Sequence, residues 1–234
     1  MEAIQFDPFK KALHFQNVPK PRVTSEDELI VEVAYCGICG TDLHIITGEF
    51  PLENKKPVVL GHEFSGIVRE VGPAVTHVKP GDRVVIDPQS WCTTCKFCTN
   101  GKYTLCERGG VTQATGIGLD GGWGKFAKVR SRQVYKLSSE LTLRQGILCE
   151  PISCIVWGVE RVLTNIPVGS DVLITGAGII GNLWSSVLHQ MGFRKVTVVE
   201  PSPERRQINQ NLGLGYNVLS PEGLSQKNRF RICI

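Results

Sequence analysis

The sequence predicts an α/β chain in two parts: a β-rich, partly open barrel over residues 1–155, then the start of a doubly wound parallel sheet over residues 156–234. Three observations carry this reading. Residues 28–35 (ELIVEVAY) alternate apolar and polar side chains at period two, and similar runs recur at 64–71, 82–87 and 126–137, punctuated by Gly and Pro. From Gly169 the pattern changes to an apolar run, a glycine-rich turn and an amphipathic stretch, the order of strand, turn and helix. Within the first part lies a compact cysteine-rich segment, residues 91–106, with little apolar content of its own.

Length and composition bound the reading. A chain of 234 residues with 41% apolar side chains has room for two modest domains with real cores. The start, MEAIQFDPFKK, has no apolar segment behind a basic one, and no stretch approaches the ~18 apolar residues of a membrane span. The net charge of +4 is scattered. Its one mild cluster, Lys125, Lys128, Arg130 and Arg132, fits a solvated strand edge better than a nucleic-acid surface, because no aromatic residues interleave it as a basic stripe would require. Nine cysteines without a secretory signal, clustered at ligand spacing, point to metal and a reducing compartment, the cytosol.

In chain order, the first chemistry-bearing stretch is CGICGTDLH at 36–44, followed by GHEFSG at 61–66. Cys39, His62 and Glu63 supply a thiolate, an imidazole and a carboxylate, the ligand types that a catalytic zinc takes while keeping a position open. Each alone is weak, since a lone His or Cys is more often a buried core residue. On the residues alone, Thr41 and Asp42 read as a turn. Lys79-Pro80-Gly81-Asp82 is a turn feeding the strand that begins RVVI. Cys92, Cys95, Cys98 and Cys106 then follow a C-x2-C-x2-C-x7-C pattern, four thiolates suited to a closed tetrahedral structural zinc.

Cys149-Glu150-Pro151 precedes an apolar stretch that predicts a helix with Pro151 at its first position, where Glu150 reads as a cap or dipole partner. Cys36, Cys154 and Cys233 read as ordinary buried thiols. The turn Gly176-Ala177-Gly178-Ile179-Ile180-Gly181 follows a predicted strand and opens a helix, so its backbone can receive a pyrophosphate at the helix N-terminus. Glu200, ~20 residues on at the end of KVTVVE, suits a ribose 2′-hydroxyl and repels a 2′-phosphate, which predicts NAD over NADP. Arg205 and Arg206 read as helix-surface charges. After a short YNVLS and a terminal FRICI, the sheet has one half and the beginning of a fourth strand, so the sequence reads as C-terminally truncated by on the order of 70 residues at ~30 per βαβ unit.

CGICGTDLH followed by GHEFSGIV resembles the zinc-dependent medium-chain dehydrogenases, most closely their polyol (sorbitol) and threonine dehydrogenase branch, and the resemblance runs over nearly the whole chain. It implies a GroES-like catalytic domain with a structural-zinc lobe at 91–106, followed by a partial Rossmann domain. It places Cys39, His62 and Glu63 at the catalytic zinc and adds Glu150 as a further ligand, with Glu in the polyol and threonine branches where classical alcohol dehydrogenases have Cys. Thr41 falls where the family relays the alcohol proton, Asp42 where a carboxylate orients the ligand imidazole, and His44 extends the proton path. The implied activity is oxidation of a secondary alcohol, a polyol or a 3-hydroxy amino acid, with zinc as Lewis acid and NAD as hydride acceptor. The alternative expectation is a zinc-binding, catalytically inactive truncated form. A zinc-free quinone reductase of the same superfamily is disfavoured by the complete cysteine set. Expected partners are a small alcohol or polyol and, for a full-length form, further copies of the chain, with no nucleic acid and no membrane.

Overall fold

The computed structural model describes residues 1–50, 52, 56–225 and 229–234. The chain divides into two compact units, Met1–Glu150 and Pro151–Ile234.

Among the described residues eight strands build the first unit: β1 (Glu2–Asp7), β2 (Ala12–Asn17), β3 (Glu28–Cys36), β4 (Val58–Val59), β5 (Phe64–Val71), β6 (Arg83–Ile86), β7 (Phe126–Arg130) and β8 (Val134–Lys136). Two short helices accompany them, α1 (Gly40–Thr47) and α2 (Leu143–Gly146). The strands form a three-stranded sheet ordered β2-β1-β4 and a five-stranded antiparallel sheet ordered β7-β3-β5-β6-β8. Period two explains the second sheet, because Leu29, Val31, Phe64, Val68, Val84, Ile86, Ala127 and Val129 all fall on one face and share a buried core. Each of the valine, leucine, isoleucine and phenylalanine side chains contributes roughly 1.5–3 kcal/mol when fully buried. The β3–β5 pairing shifts register at Ile30/Val31 and again at Val33/Tyr35, and such irregularities bend a strand and re-aim its end. The bent end of β3 is the one that carries Cys36.

The 126–137 run is two strands rather than one. A single turn at Ser131–Gln133 separates β7 from β8, and the buried Gln133 amide explains it by donating to the carbonyls of Asp87, Pro88 and Gln89. Of the basic cluster, Lys128 and Arg130 lie on the edge strand β7 and pair with Glu28 and Asp27, while Arg132 lies over the Trp91 ring.

The second unit is a parallel sheet of β9 (Val172–Thr175), β10 (Val196–Val199), β11 (Asn217–Leu219) and β12 (Ile232–Cys233), ordered β11-β10-β9-β12. With β9 as first strand this is the 3-2-1-4 order of a doubly wound nucleotide fold. Helices α3 (Cys149–Val162), α4 (Ile179–Gln190) and α5 (Pro203–Gln210) complete the elements, and the core gathers Val172, Ile174, Ala177, Leu188, Phe193, Val196 and Val198. α3 starts two residues earlier than the sequence predicts, which puts Pro151 third in the helix, still within the first turn where its missing N–H costs nothing. Cys36 is half-buried, and Cys154 and Cys233 are exposed rather than buried. Cys154 stands on an outward part of α3, and Cys233 on an edge strand only two residues long.

Candidate metal centre

The centre is assembled where β3 ends against the start of β5. Gly37 N–H donates to the Glu63 carbonyl at 2.8 Å, and the Trp123 indole N–H donates to the Gly37 carbonyl at 3.1 Å, so the two segments are clamped. Gly61 has φ +91, and a Cβ there would stand 2.3 Å from Trp123 Cδ1. Only glycine allows both the backbone conformation and the indole, which is why Gly61 precedes His62. Thr41 and Asp42, read as a turn from the sequence, lie in the first turn of α1 with Cys39 as its N-cap. The Cys39-x-x-Asp42 spacing is the missed signal: Asp42 Oδ2 accepts the Cys39 N–H at 2.8 Å, as the third helical residue of a capping box does.

This clamp brings one ligand atom each from Cys39, His62 and Glu63 within 4.8 Å of one another. Asp42 is fully buried behind them, its Oδ1 3.5 Å from His62 Nδ1. That separation is too long for a strong hydrogen bond, and both atoms are buried with no hydrogen-bond partner. Burial opposes a charge on His62, yet the contacts to Asp42 and Cys39 and their charges outweigh it and push the imidazole pKa up to about 10. A site that holds a proton so firmly is rich in electron-pair donors, and a cation meets the same field. With Nδ1 facing Asp42, Nε2 is the nitrogen left for a ligand. Burial, and then the charge of Asp42, raises the Glu63 pKa, while His62 and Cys39 oppose the rise. Glu150 is also raised, by burial first, and its carboxyl feels the charges of His62, Glu63 and Asp87. Among the described residues Glu150 is not part of the close group. Thr41 Oγ1 lies 3.7 Å from Cys39 Sγ, and His44 Nδ1 lies 2.5 Å from Glu49 Oε2 at the exposed end of α1. A mixed S, N, O donor set with unpaired buried atoms fits an open zinc site.

The second cluster differs in every respect. The sulfurs of Cys92, Cys95, Cys98 and Cys106 lie within 4.8 Å of one another, and three of the four residues are buried. Cys92 Sγ and Cys98 Sγ are 3.9 Å apart, far beyond a disulfide and close to the edge of roughly 3.8 Å that a tetrahedron of 2.3 Å zinc–sulfur bonds requires. Backbone N–H groups aim at the sulfurs: Cys95 N–H donates to Cys92 Sγ and Cys92 N–H to Cys106 Sγ, each at 3.3 Å. Thr93 adopts φ +65 within this knuckle. The backbone N–H groups of Thr94 and then Cys95 lower the Cys92 pKa to about 5, so the thiolate is the favoured form. Among the described residues, Trp91 and Phe97 are the apolar side chains that pack against this small core besides the cysteines, and the donor set fits a closed zinc site.

In the second unit Gly176 has φ +96, and a Cβ on Gly181 would stand 2.0 Å from the Gly176 carbonyl oxygen. Gly178 is the N-cap of α4, with Ile179 and Ile180 opening the helix and largely exposed. Glu200 is buried, and its two oxygens accept the N–H groups of Ala177 and Ser202, each at 2.8 Å. Those bonds, Ala177 first, lower its pKa. The sequence predicts a ribose-facing role for Glu200, and the spacing carries no sign of its hold on the glycine turn.

Two antiparallel sheets with an open mixed-ligand cluster and a closed four-cysteine lobe, followed by a parallel sheet with a glycine turn, form the architecture of a zinc-containing dehydrogenase. Residues 25–139 match the alcohol dehydrogenase GroES-like domain family. The chain is 35% identical to an alcohol dehydrogenase of Geobacillus stearothermophilus, covering 91% of this chain and 62% of that protein. It is also 35% identical to (R,R)-butanediol dehydrogenase of Saccharomyces cerevisiae, covering 88% of this chain and 60% of that protein. Among solved structures, a Sinorhizobium meliloti 1021 protein described as a zinc-binding dehydrogenase and bound to NADP superposes with a TM-score of 0.84 at 34% identity, covering 96% of this chain and 63% of that one. Residues 25–139 belong to the alcohol dehydrogenase GroES-like domain family, and the chain as a whole is similar to alcohol and zinc-binding dehydrogenases. It spans about three-fifths of the length of these relatives.

Proposed function

We propose that this protein is a zinc- and NAD-dependent oxidoreductase that converts a secondary alcohol, a polyol or a 3-hydroxy amino acid, to a ketone. The observation that carries the reading is the convergence of Cys39, His62 and Glu63 in front of the buried, unpaired Asp42–His62 contact. The unit Met1–Glu150 would carry the chemistry and Pro151–Ile234 the dinucleotide. Bound zinc would supply Lewis acidity at the alcohol oxygen and bound NAD the hydride acceptor.

The chain's own residues do the rest. Cys39, His62 and the Glu63 carboxylate hold the metal, with Glu150 close enough to add its charge to the same site. Asp42 fixes the ring of His62 so that Nε2 faces inward. The Thr41 hydroxyl, beside Cys39 Sγ, takes the alcohol proton, and His44 one helical turn further out passes it to water. Cys92, Cys95, Cys98 and Cys106 hold a second zinc that fixes the lobe. The Gly176–Gly181 turn receives the pyrophosphate, and Glu200 favours an unphosphorylated ribose over a 2′-phosphate. Relatives named alcohol dehydrogenase, (R,R)-butanediol dehydrogenase and D-xylulose reductase support the substrate class. No described helix is long and apolar enough to cross a membrane, and cysteines grouped at ligand spacing support a reducing, cytosolic location. NAD and NADP reduction over a panel of polyols and 3-hydroxy amino acids, beside a Thr41→Ala variant, tests the reading. Turnover with NAD that falls at least 100-fold in the variant is expected; turnover indifferent to Thr41, or favouring NADP, contradicts it.

A further inference from the structure

We propose that Glu49 is a positioning residue that fixes the orientation and tautomer of His44, the outermost group of the proton path above; its functional meaning rests on that reading. The argument begins with the way α1 ends. Gly48 is left-handed at φ +83, its N–H donates to the Ile45 carbonyl at 3.1 Å, and Glu49 N–H donates to the His44 carbonyl at 2.8 Å. These are the two bonds of a Schellman motif, which brings the first residue of the last turn against the second residue past the cap, usually in an apolar contact. Here those two residues are His44 and Glu49, and an imidazole–carboxylate contact of 2.5 Å takes the place of the apolar one.

A carboxylate accepts and does not donate, so the ring hydrogen must sit on Nδ1. The neutral ring is left with Nε2 as a free acceptor, and the orientation is set by the backbone cap rather than by chance rotamers. Thr41 lies three residues back on the same helical face. As the Thr41 O–H bond breaks, an Nε2–H bond forms; Thr41 recovers its proton from the alcohol, and the imidazolium releases one to water while Glu49 balances its charge. Among the described residues a further charge lies close: a Cβ on Gly48 would stand 3.0 Å from Lys11 Nζ, so an ammonium covers the cap beside the pair. His44 and Glu49 side chains are 61% and 65% exposed, so water screens their ionic attraction, whereas the hydrogen bond that selects the tautomer acts only at contact.

The test reads the ring directly. Nitrogen-15 NMR of the zinc-loaded full chain, without substrate or NAD, assigns the His44 tautomer in the unmodified protein, Glu49→Ala and Glu49→Gln. The Schellman bonds come from the backbone and survive both substitutions, which the amide signals of residues 49 and 50 check. We expect the Nδ1–H tautomer in the unmodified protein, its loss in Glu49→Ala, and its retention in Glu49→Gln, whose carbonyl oxygen still accepts. In turnover, kcat should fall about tenfold in Glu49→Ala with KM unchanged. A tautomer identical in all three proteins overturns the proposal. A chain that shows the expected tautomers but oxidises no alcohol upholds Glu49's hold on His44 and sinks the proposed function instead.

Discussion

The two cysteine-bearing clusters of the first unit handle negative charge in opposite ways. In the lobe at 91–106 all four sulfurs come from one short stretch, and neighbouring backbone N–H groups already point at them. At Cys39, His62 and Glu63 the donors come from two segments joined by tertiary contacts, and the buried Asp42 and His62 atoms keep their valences unpaired. A saturated cluster is a fastener: it organises the loop around it and offers nothing to a substrate. An unsaturated one is held open by the surrounding fold, at a cost that the fold must offset. The two clusters thus differ in whether the buried polar groups around them are satisfied.

The largest expected effect lies in the lobe. Cys98→Ser removes one sulfur from a loop with almost no other core, and we expect a loss of about 3–5 kcal/mol, a fall in Tm of roughly 10 °C, measured by calorimetry. If the lobe were instead held by its apolar contacts, the midpoint would hardly move. Next comes the clamp around the open site: Gly61→Ala forces a Cβ into the Trp123 indole, and about 2–3 kcal/mol should be lost in urea unfolding. Asp42→Asn should leave the lobe zinc untouched yet weaken zinc at the open site about 10–100-fold, read by competition with a chelating dye. Equal weakening at both sites would erase the distinction drawn above.

The clusters also differ in how far the sequence reveals them. The C-x2-C-x2-C-x7-C spacing shows the lobe outright, because local chain geometry alone brings those sulfurs together. Period two in the sequence locates β3 and β5, although their first residues, Glu28–Val31 and Phe64–Gly66, are buried on both faces. What stays hidden depends on partners distant in sequence. Trp123 clamps a glycine 86 residues away, Gln133 breaks a strand to reach residues 87–89, and Glu49 meets His44 only because α1 ends in a left-handed turn. No periodicity records such contacts. The assignment of Cys39, His62 and Glu63 as one site leans on resemblance for the same reason, and their proximity emerges only from the folded chain.

Glu200 extends the comparison to the second unit, for each of its oxygens accepts one backbone N–H, as the lobe's sulfurs do, while keeping a lone pair for a further donor. Its pKa is lowered in the folded state, so it contributes stability that is present above the unfolded value near 4.5 and is lost as pH falls through the lower folded value. The effect is the smallest of the set: between pH 5 and pH 3, Glu200→Gln should show a shallower loss of thermal stability than the unmodified protein. Parallel acid limbs in the two proteins would show that these bonds do not hold the glycine turn.

The central claim, one saturated and one open zinc site in the same unit, is tested most directly by metal stoichiometry. Mass-spectrometric metal analysis of the purified chain and of Cys39→Ser should give two zinc ions and one, respectively, with the remaining ion lost in Cys98→Ser. A single zinc that survives Cys39→Ser would contradict the account.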